Sequence, residues 1–520
     1  MRWWTTAAAL AAGVLVAGAG MRPAAAADCG ALATMKIEAV NLLSAAEVPA
    51  GKDLPAYCRV LGYVRPAINF EVRLPLAGWN GKFLEAGCGG FCGTLDTDRP
   101  GIVNAVNFAL RRGYAVASMD SGHWGSSVVD GRWALDNPVA KADWAWRAVT
   151  ETARTAKVLV RTFYGTEPKH AYFNGCSTGG RMAGVEATRF PHDFDGIIMG
   201  APALDYTSLV ATEFAWEAQA NAGPDGKPIL TSARLPLLQN AVAAACGDKE
   251  GLVADPRRCN FKPESLECKG ASGPDCLSAA EVGVLRKWYD GPHDAAGRAL
   301  YPGGVPVGSE ANWPIWLTGL GARPPAIPLF GRDFLRYMAF VPDAGQTYQT
   351  SAFDFERDPG RLAPMAALYN AATWVPGALG HVQAASISGF TGNGGKLLVW
   401  QGWGDPIVTP FFTVDWYEAL AKDAGGMEKL RDSARLFMVP GMDHCGINPS
   451  NASVTEAGLD PLTALEHWVE EGKAPDSLLA AKRTAQGQTV WQRPICAWPE
   501  EAKLTGPDVT LAASWHCVAP

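Results

Sequence analysis

Ala171-Tyr172-Phe173-Asn174-Gly175-Cys176-Ser177-Thr178-Gly179-Gly180-Arg181-Met182-Ala183-Gly184 is the stretch that decides how this chain is read. A short β-prone run meets a Gly-x-Ser-x-Gly core and passes straight into helix-compatible sequence, the setting in which that pentapeptide presents a nucleophile. Gly175 and Gly179 let the backbone turn sharply enough to hold Ser177 in a strained conformation with its hydroxyl exposed. A structural strand-to-helix turn would carry the same residue types, so the remaining parts of a site must be found elsewhere.

Outward from this stretch the pattern is strand, helix, strand, helix, strand. Phe70 to Leu74 alternates as a strand, and Trp79-Asn80-Gly81 offers a hairpin turn into a second strand, Lys82 to Ala86. Ile102 to Arg112 has helical spacing, Gly113 to Met119 reads as a buried strand, and Asp143 to Phe163 reads as a long helix stopped by Gly165. Phe194 to Gly200 is another buried strand. This alternation predicts a parallel sheet covered on both faces, an α/β fold. It stops near Tyr206 and resumes at Lys396, where Leu397 to Trp400 and Arg435 to Val439 are strands, Phe411 to Leu420 a helix and Leu462 to Glu471 a closing helix. The interruption holds a cysteine-dense loop from Cys246 to Cys276 and a Pro/Gly/Trp-rich section from Tyr301 to Phe330. Such an insertion beside a sheet reads as a lid, the alternative being a structural appendage or docking surface. The expected division is a leader at 1–27, core at 28–206, lid at 207–392 and core again at 393–520, ending in a disulfide-tied tail from Pro494.

The leader carries Arg2, an apolar run from Ala7 to Gly18 and an A-x-A-like site near Ala24 to Ala27, which predicts a secreted or periplasmic protein. That run is too short to span a bilayer comfortably. Twelve cysteines in an exported chain favour disulfides over metal ligation. Pairing near neighbours gives Cys29 with Cys58, Cys88 with Cys92, Cys246 with Cys259, Cys268 with Cys276 and Cys496 with Cys517. Cys176 and Cys445 remain, although sequence alone does not fix connectivity. A formal net charge of −7 with no basic run argues against nucleic acid or an anionic membrane as partner. No oligomeric state follows from the sequence.

A serine hydroxyl needs an adjacent base to attack an ester at neutral pH, and the base needs a third group to fix its tautomer. The expected chain order is Ser, acid, His. Of the late histidines, His467 sits in an amphipathic helix and His516 has no strand leading to it, whereas His444 occupies a loop directly after a strand. Asp405 ends the preceding strand. Asp415 lies within a helix, and Asp443 adjoins His444, where the side chains should diverge. A Gly-rich turn, Gly87-Cys88-Gly89-Gly90, follows an early strand and can aim backbone N–H groups at an oxyanion. A bond between Cys176 and Cys445 would tie the Ser177 turn to the His444 loop.

Gly175-Cys-Ser-Thr-Gly-Gly180, Gly402-Trp-Gly-Asp405 and Val439-Pro-Gly-Met-Asp-His-Cys445 together resemble the tannase and feruloyl esterase family of α/β-hydrolases. The resemblance covers essentially the mature chain. It implies an α/β-hydrolase core with a large inserted lid, and Ser177, Asp405 and His444 as the triad. It also implies a Cys176–Cys445 disulfide, an oxyanion hole from the backbone N–H groups of Thr178 and Gly89, and esters of aromatic acids, such as gallate or hydroxycinnamate esters, as small-molecule substrates. The family's lid usually carries an Asp-rich calcium loop between bonded cysteines. Here the Cys246–Cys259 stretch is shorter and offers only Asp248, Glu250 and Asp255 toward the roughly six to eight oxygens calcium takes. The expectation is a lost or weakened calcium site, with no cofactor required for the chemistry. Gln401 stands where the family commonly has His. The rival readings are another serine acyl-hydrolase, such as a lactonase or peptidase, and a noncatalytic module that binds phenolics or polysaccharide on a hydrolase scaffold.

Overall fold

The computed structural model describes Met1 and residues 28–520 apart from 96, 99–105, 272, 374–383, 448–453 and 485. Residues 2–27 of the expected leader and the start of the expected Ile102 helix therefore lie outside the described residues. No described helix is long and apolar enough to cross a membrane.

Nine strands form one sheet. They are β1 (Val40–Val48), β2 (Tyr57–Val64), β3 (Ile68–Pro75), β4 (Lys82–Ala86), β5 (Ala115–Met119), β6 (His170–Cys176), β7 (Gly196–Gly200), β8 (Lys396–Gly402) and β9 (Ala434–Val439). Their spatial order is β1-β2-β3-β5-β4-β6-β7-β8-β9. The first four in that order pair antiparallel, and β5 through β9 pair parallel. The parallel half follows the expected alternation. The expected hairpin between β3 and β4 does not form, because β5 is inserted between them. The Trp79-Asn80-Gly81 turn serves other partners: Asn80 N–H donates to Gly113 O at 3.0 Å and Lys169 N–H to Gly81 O at 2.7 Å. Trp79 stacks on Tyr164 with ring centroids 3.9 Å apart. The turn thus pins the entrances of β5 and β6 instead of folding β4 back on β3.

Strand residues alternate between two apolar layers, as a period of two requires. Phe173, Ile197, Met199, Leu397 and Val399 pack with the helices Ala148–Tyr164, Thr178–Arg189 and Pro410–Asp423. Tyr172, Ile198, Leu398 and Trp400 face the opposite layer, which contains Leu462, Leu465 and Trp468 of the helix Pro461–Glu471. The long predicted helix opens with a π turn, Asp143–Arg147, and ends at Gly165, whose φ of 74° closes it in the left-handed region.

Between β7 and β8 the described chain is helical and adds no strand to the large sheet. Its buried apolar residues, among them Leu209, Leu238, Trp288, Phe334 and Tyr369, join the first of the two layers. After the closing helix the tail forms two small antiparallel pairs, Ser477–Arg483 with Thr489–Cys496 and Glu501–Leu504 with Trp515–Val518. All twelve cysteines pair as 29–58, 88–92, 176–445, 246–259, 268–276 and 496–517.

Candidate active site

The residues singled out by sequence meet at the carboxyl ends of the parallel strands, where open α/β sheets place their ligand sites. Ser177 follows β6, the Gly87–Gly90 turn follows β4, Asp405 lies three residues beyond β8, and His444 lies in the loop after β9. Ser177 has φ 65° and ψ −122°, a conformation that non-glycine residues adopt only when their surroundings impose it. Three backbone hydrogen bonds do so. Ser177 N–H donates to Gly200 O at 3.0 Å, while Ser177 O accepts from Arg181 N–H at 3.0 Å and Ala203 N–H at 3.3 Å. The turn is tight enough that a Cβ on Gly175 would lie 2.4 Å from Gly179 O. Ser177 itself stays half-buried among fully buried neighbours.

His444 Nδ1 lies 2.7 Å from Asp405 Oδ2, and both side chains are buried. The other carboxylate oxygen, Oδ1, accepts from Ile407 N–H at 3.0 Å and Val408 N–H at 2.9 Å. Gln401 Nε2 donates to Oδ2 at 3.1 Å. Four donors around this one buried carboxylate satisfy its oxygens and fix its orientation. The Cys176–Cys445 disulfide joins the residue before Ser177 to the residue after His444, with Cα atoms 6.0 Å apart.

The Gly-rich turn sits directly on the Ser177 elbow. Gly87 N–H donates to Asn174 O at 2.9 Å, and a Cβ on Gly87 would fall 2.8 Å from Gly179 Cα. The Thr178 hydroxyl donates to Gly90 O at 2.7 Å. Gly89 is buried beside this contact, and the Cys88–Cys92 bond closes the turn.

Asp415 is exposed, and the exposed His467 and His516 pair with Glu471 and Thr505 instead. Asp443 diverges from His444 as expected, yet it is fully buried, its Oδ1 accepting from Trp316 Nε1 at 2.9 Å and its Oδ2 unpartnered. Burial, and then the charge of Asp405, push the Asp443 carboxyl up to about 7. Trp316 also stands edge-on to the His444 ring, with centroids 5.4 Å apart. Asn312 Nδ2 donates to Gly404 O at 2.8 Å. These contacts from the inserted segment escaped sequence reasoning; the only signal was the Trp-rich composition around residues 313–316.

The three calcium candidates do not converge. Asp248 and Glu250 both face Arg493, Asp255 forms a fork with Arg257, and the described residues contain no group of three or more His, Cys, Asp or Glu fit to hold a metal. With their carboxylates taken up by guanidinium groups, they do not fit a calcium cage.

The strand order, the elbow and the buried carboxylate–imidazole pair define an α/β-hydrolase. The chain belongs to the tannase and feruloyl esterase family: the family model "Tannase and feruloyl esterase" matches residues 54–518. It is accordingly a carboxylic ester hydrolase. An uncharacterised esterase of Xanthomonas campestris is 34% identical over 93% of this chain and 89% of its own length. Mono(2-hydroxyethyl) terephthalate hydrolase of Piscinibacter sakaiensis is 30% identical over 92% and 89% respectively. The crystal structure of feruloyl esterase B from Aspergillus oryzae superposes with a TM-score of 0.80 at 27% identity, covering 94% of this chain and 99% of that one.

Two predictions follow from the geometry. Removing the 176–445 link in Cys176→Ala/Cys445→Ala frees a long loop in the unfolded state, worth about 5 kcal/mol in the chain-entropy model. Thermal unfolding should drop by about 5 °C and esterase activity should fall with it; unchanged values of both would show the link idle. For Asp443, the folded carboxyl keeps its proton up to about 7 while the unfolded one ionises near 3.8, so stability is lost as pH rises through that window. Asp443→Asn should remove this loss. Its melting temperature relative to wild type should improve from about pH 4 to pH 8, and a pH-independent difference would show that the carboxyl does not titrate there.

Proposed function

We propose that this protein is an exported serine esterase that cleaves esters of aromatic acids through Ser177, His444 and Asp405. The observation that carries the reading is the 2.7 Å Asp405–His444 contact on a loop bonded by Cys445 to the residue preceding Ser177. In this reading His444 takes the Ser177 proton as the hydroxyl attacks the ester carbonyl, and Asp405 holds the tautomer and the imidazolium that forms. The tetrahedral oxyanion is received by the backbone N–H groups of Thr178, first residue of its helix, and of Gly89 in the turn held against it. Collapse expels the alcohol, protonated by His444, and leaves an acyl-enzyme that water then hydrolyses by the same steps.

An aromatic acyl group fits the surroundings. Trp316 flanks His444, while Phe330 stands over the Gly-rich turn and packs against Phe91 with centroids 5.3 Å apart. Both Trp316 and Phe330 come from the inserted segment, which we read as a lid spanning 207–392. The relatives named above include enzymes called after feruloyl and terephthalate esters, and the leader at 1–27 together with six disulfides supports a secreted or periplasmic location.

Ser177→Ala should lower kcat by roughly 10⁵-fold or more while leaving the fold intact, and should abolish labelling by a fluorophosphonate. Methyl ferulate, methyl gallate and mono(2-hydroxyethyl) terephthalate, assayed beside an aliphatic ester and a peptide, give the substrate class. Peptide cleavage without aromatic-ester cleavage would overturn this reading, and an unlabelled wild type would favour a noncatalytic scaffold.

A further inference from the structure

Gln401 is the penultimate residue of β8, just before the Asp405 loop, and is fully buried. A buried primary amide offers two N–H donors and one carbonyl acceptor, and leaving any of them unmet is costly. Here every one is met. Nε2 donates to Asp405 Oδ2 at 3.1 Å and to Val408 O at 3.1 Å, with Gly402 O at 3.4 Å. Oε1 accepts from the Thr413 hydroxyl at 3.1 Å. These neighbours also fix which end of the amide is which. A flipped side chain would set its oxygen against a carboxylate and a carbonyl, neither of which has a proton to give.

We propose that Gln401 is a positioning residue: clamped between Thr413 and Val408, its amide holds the same Asp405 oxygen that accepts from His444, and so sets the direction in which Asp405 orients the imidazole. The inference rests on the reading of Ser177, Asp405 and His444 given above. The backbone donors of Ile407 and Val408 fix Oδ1, whereas Oδ2, the oxygen that does the orienting, is held among the described residues by Gln401 and His444. Without the amide, Oδ2 could swing about the fixed Oδ1. Glutamine also does this without titrating, unlike a carboxyl or an imidazole in the same place. Asp443 and Tyr301 are the other titratable side chains whose charge Asp405 influences.

The effect is separable from packing. Withdrawing the Gln401 donor concentrates negative charge on the oxygen facing His444 and so favours the protonated imidazole. The acidic limb of kcat/KM must then move to higher pH. Lost packing alone would lower the number of competent molecules without moving that limb.

The test uses the full-length mature enzyme, with competent Ser177 counted by fluorophosphonate labelling, and methyl ferulate as substrate over about pH 5 to 9. Per labelled site, Gln401→Leu should lose about 10- to 100-fold in kcat with little change in KM, and its acidic limb should shift upward. Thr413→Val, which releases only the far end of the clamp, should move both quantities in the same direction by less. Gln401→Glu should work at acidic pH, where its protonated carboxyl still donates, and then fail at higher pH where the wild type remains active. Wild-type kcat and an unmoved limb in Gln401→Leu overturn the proposal. If that variant does not fold, unchanged profiles in both Thr413→Val and Gln401→Glu overturn it instead. A wild type that neither labels nor hydrolyses the ester indicts the catalytic reading, a distinct result.

Discussion

The constraint on which the site depends is the crowding where β6 turns into the helix that follows it. Ser177 sits at φ 65°, and residues held in such regions cost on the order of 1–3 kcal/mol each. Cys445, at φ 54°, is a second such residue, in the His444 loop. Both are local losses that no neighbouring sequence would choose. They persist because Gly175, Gly179 and Gly87 let three backbones approach within contact, and because one disulfide joins the two strained turns. Strain at Ser177 and strain beside His444 are thus offset by the same covalent link. The link spans 269 residues, so the inserted segment lies inside the loop that it closes.

That geometry explains why the inserted segment is more than a cover. Trp316 donates to Asp443 and stands against His444, and Asn312 holds Gly404 beside Asp405. Arg181, four residues past Ser177 and fully buried, donates to Ala145 O, Trp144 O and Tyr369 O. Tyr369 belongs to the inserted segment and Trp144 to the core. The helix that follows Ser177 is therefore keyed to both, so a shift of the insertion relative to the sheet would be felt at Ser177 and His444 together. A packed interior transmits such shifts because it has no slack to absorb them.

The parallel half of the sheet was legible because its strands are buried on both faces and read as apolar runs, Gly196 to Gly200 and Leu397 to Trp400 being clear cases. The Ser177, Asp405 and His444 positions were legible because each follows such a run. β1 is largely exposed or half-exposed along its length and lacks that signal, which hid the antiparallel edge. The Trp79-Asn80-Gly81 turn misled for a different reason: turn chemistry reports a local reversal and says nothing of β5 entering from elsewhere to take the adjacent position. Trp316 and Asn312 were illegible as site residues because their contacts with Asp443 and Gly404 cross long sequence separations, whereas Gln401 was legible as a departure from the family but its partners Asp405, Val408 and Thr413 were not. The cysteines were the exception, since near-neighbour pairing left a single pair over.

The carboxylates of the Cys246–Cys259 loop are engaged by arginines that reach across several parts of the chain. Arg493 comes from the tail and faces Asp248 and Glu250, and its guanidinium lies between the rings of Trp491 and Trp515, 4.5 and 4.6 Å from their centroids. Arg257 of the loop forks onto Asp255 and lies over Trp403 and Trp498, at 5.0 and 4.9 Å. Trp403 is two residues before Asp405, and its N–H donates to Val439 O, at the start of the His444 loop, at 2.8 Å. A planar guanidinium can donate to a carboxylate along its edge while its face stacks on an indole. The arginines therefore connect the inserted loop, the tail and the Asp405 loop as one assembly, and the tail with its Cys496–Cys517 bond becomes part of what holds Asp405 in place.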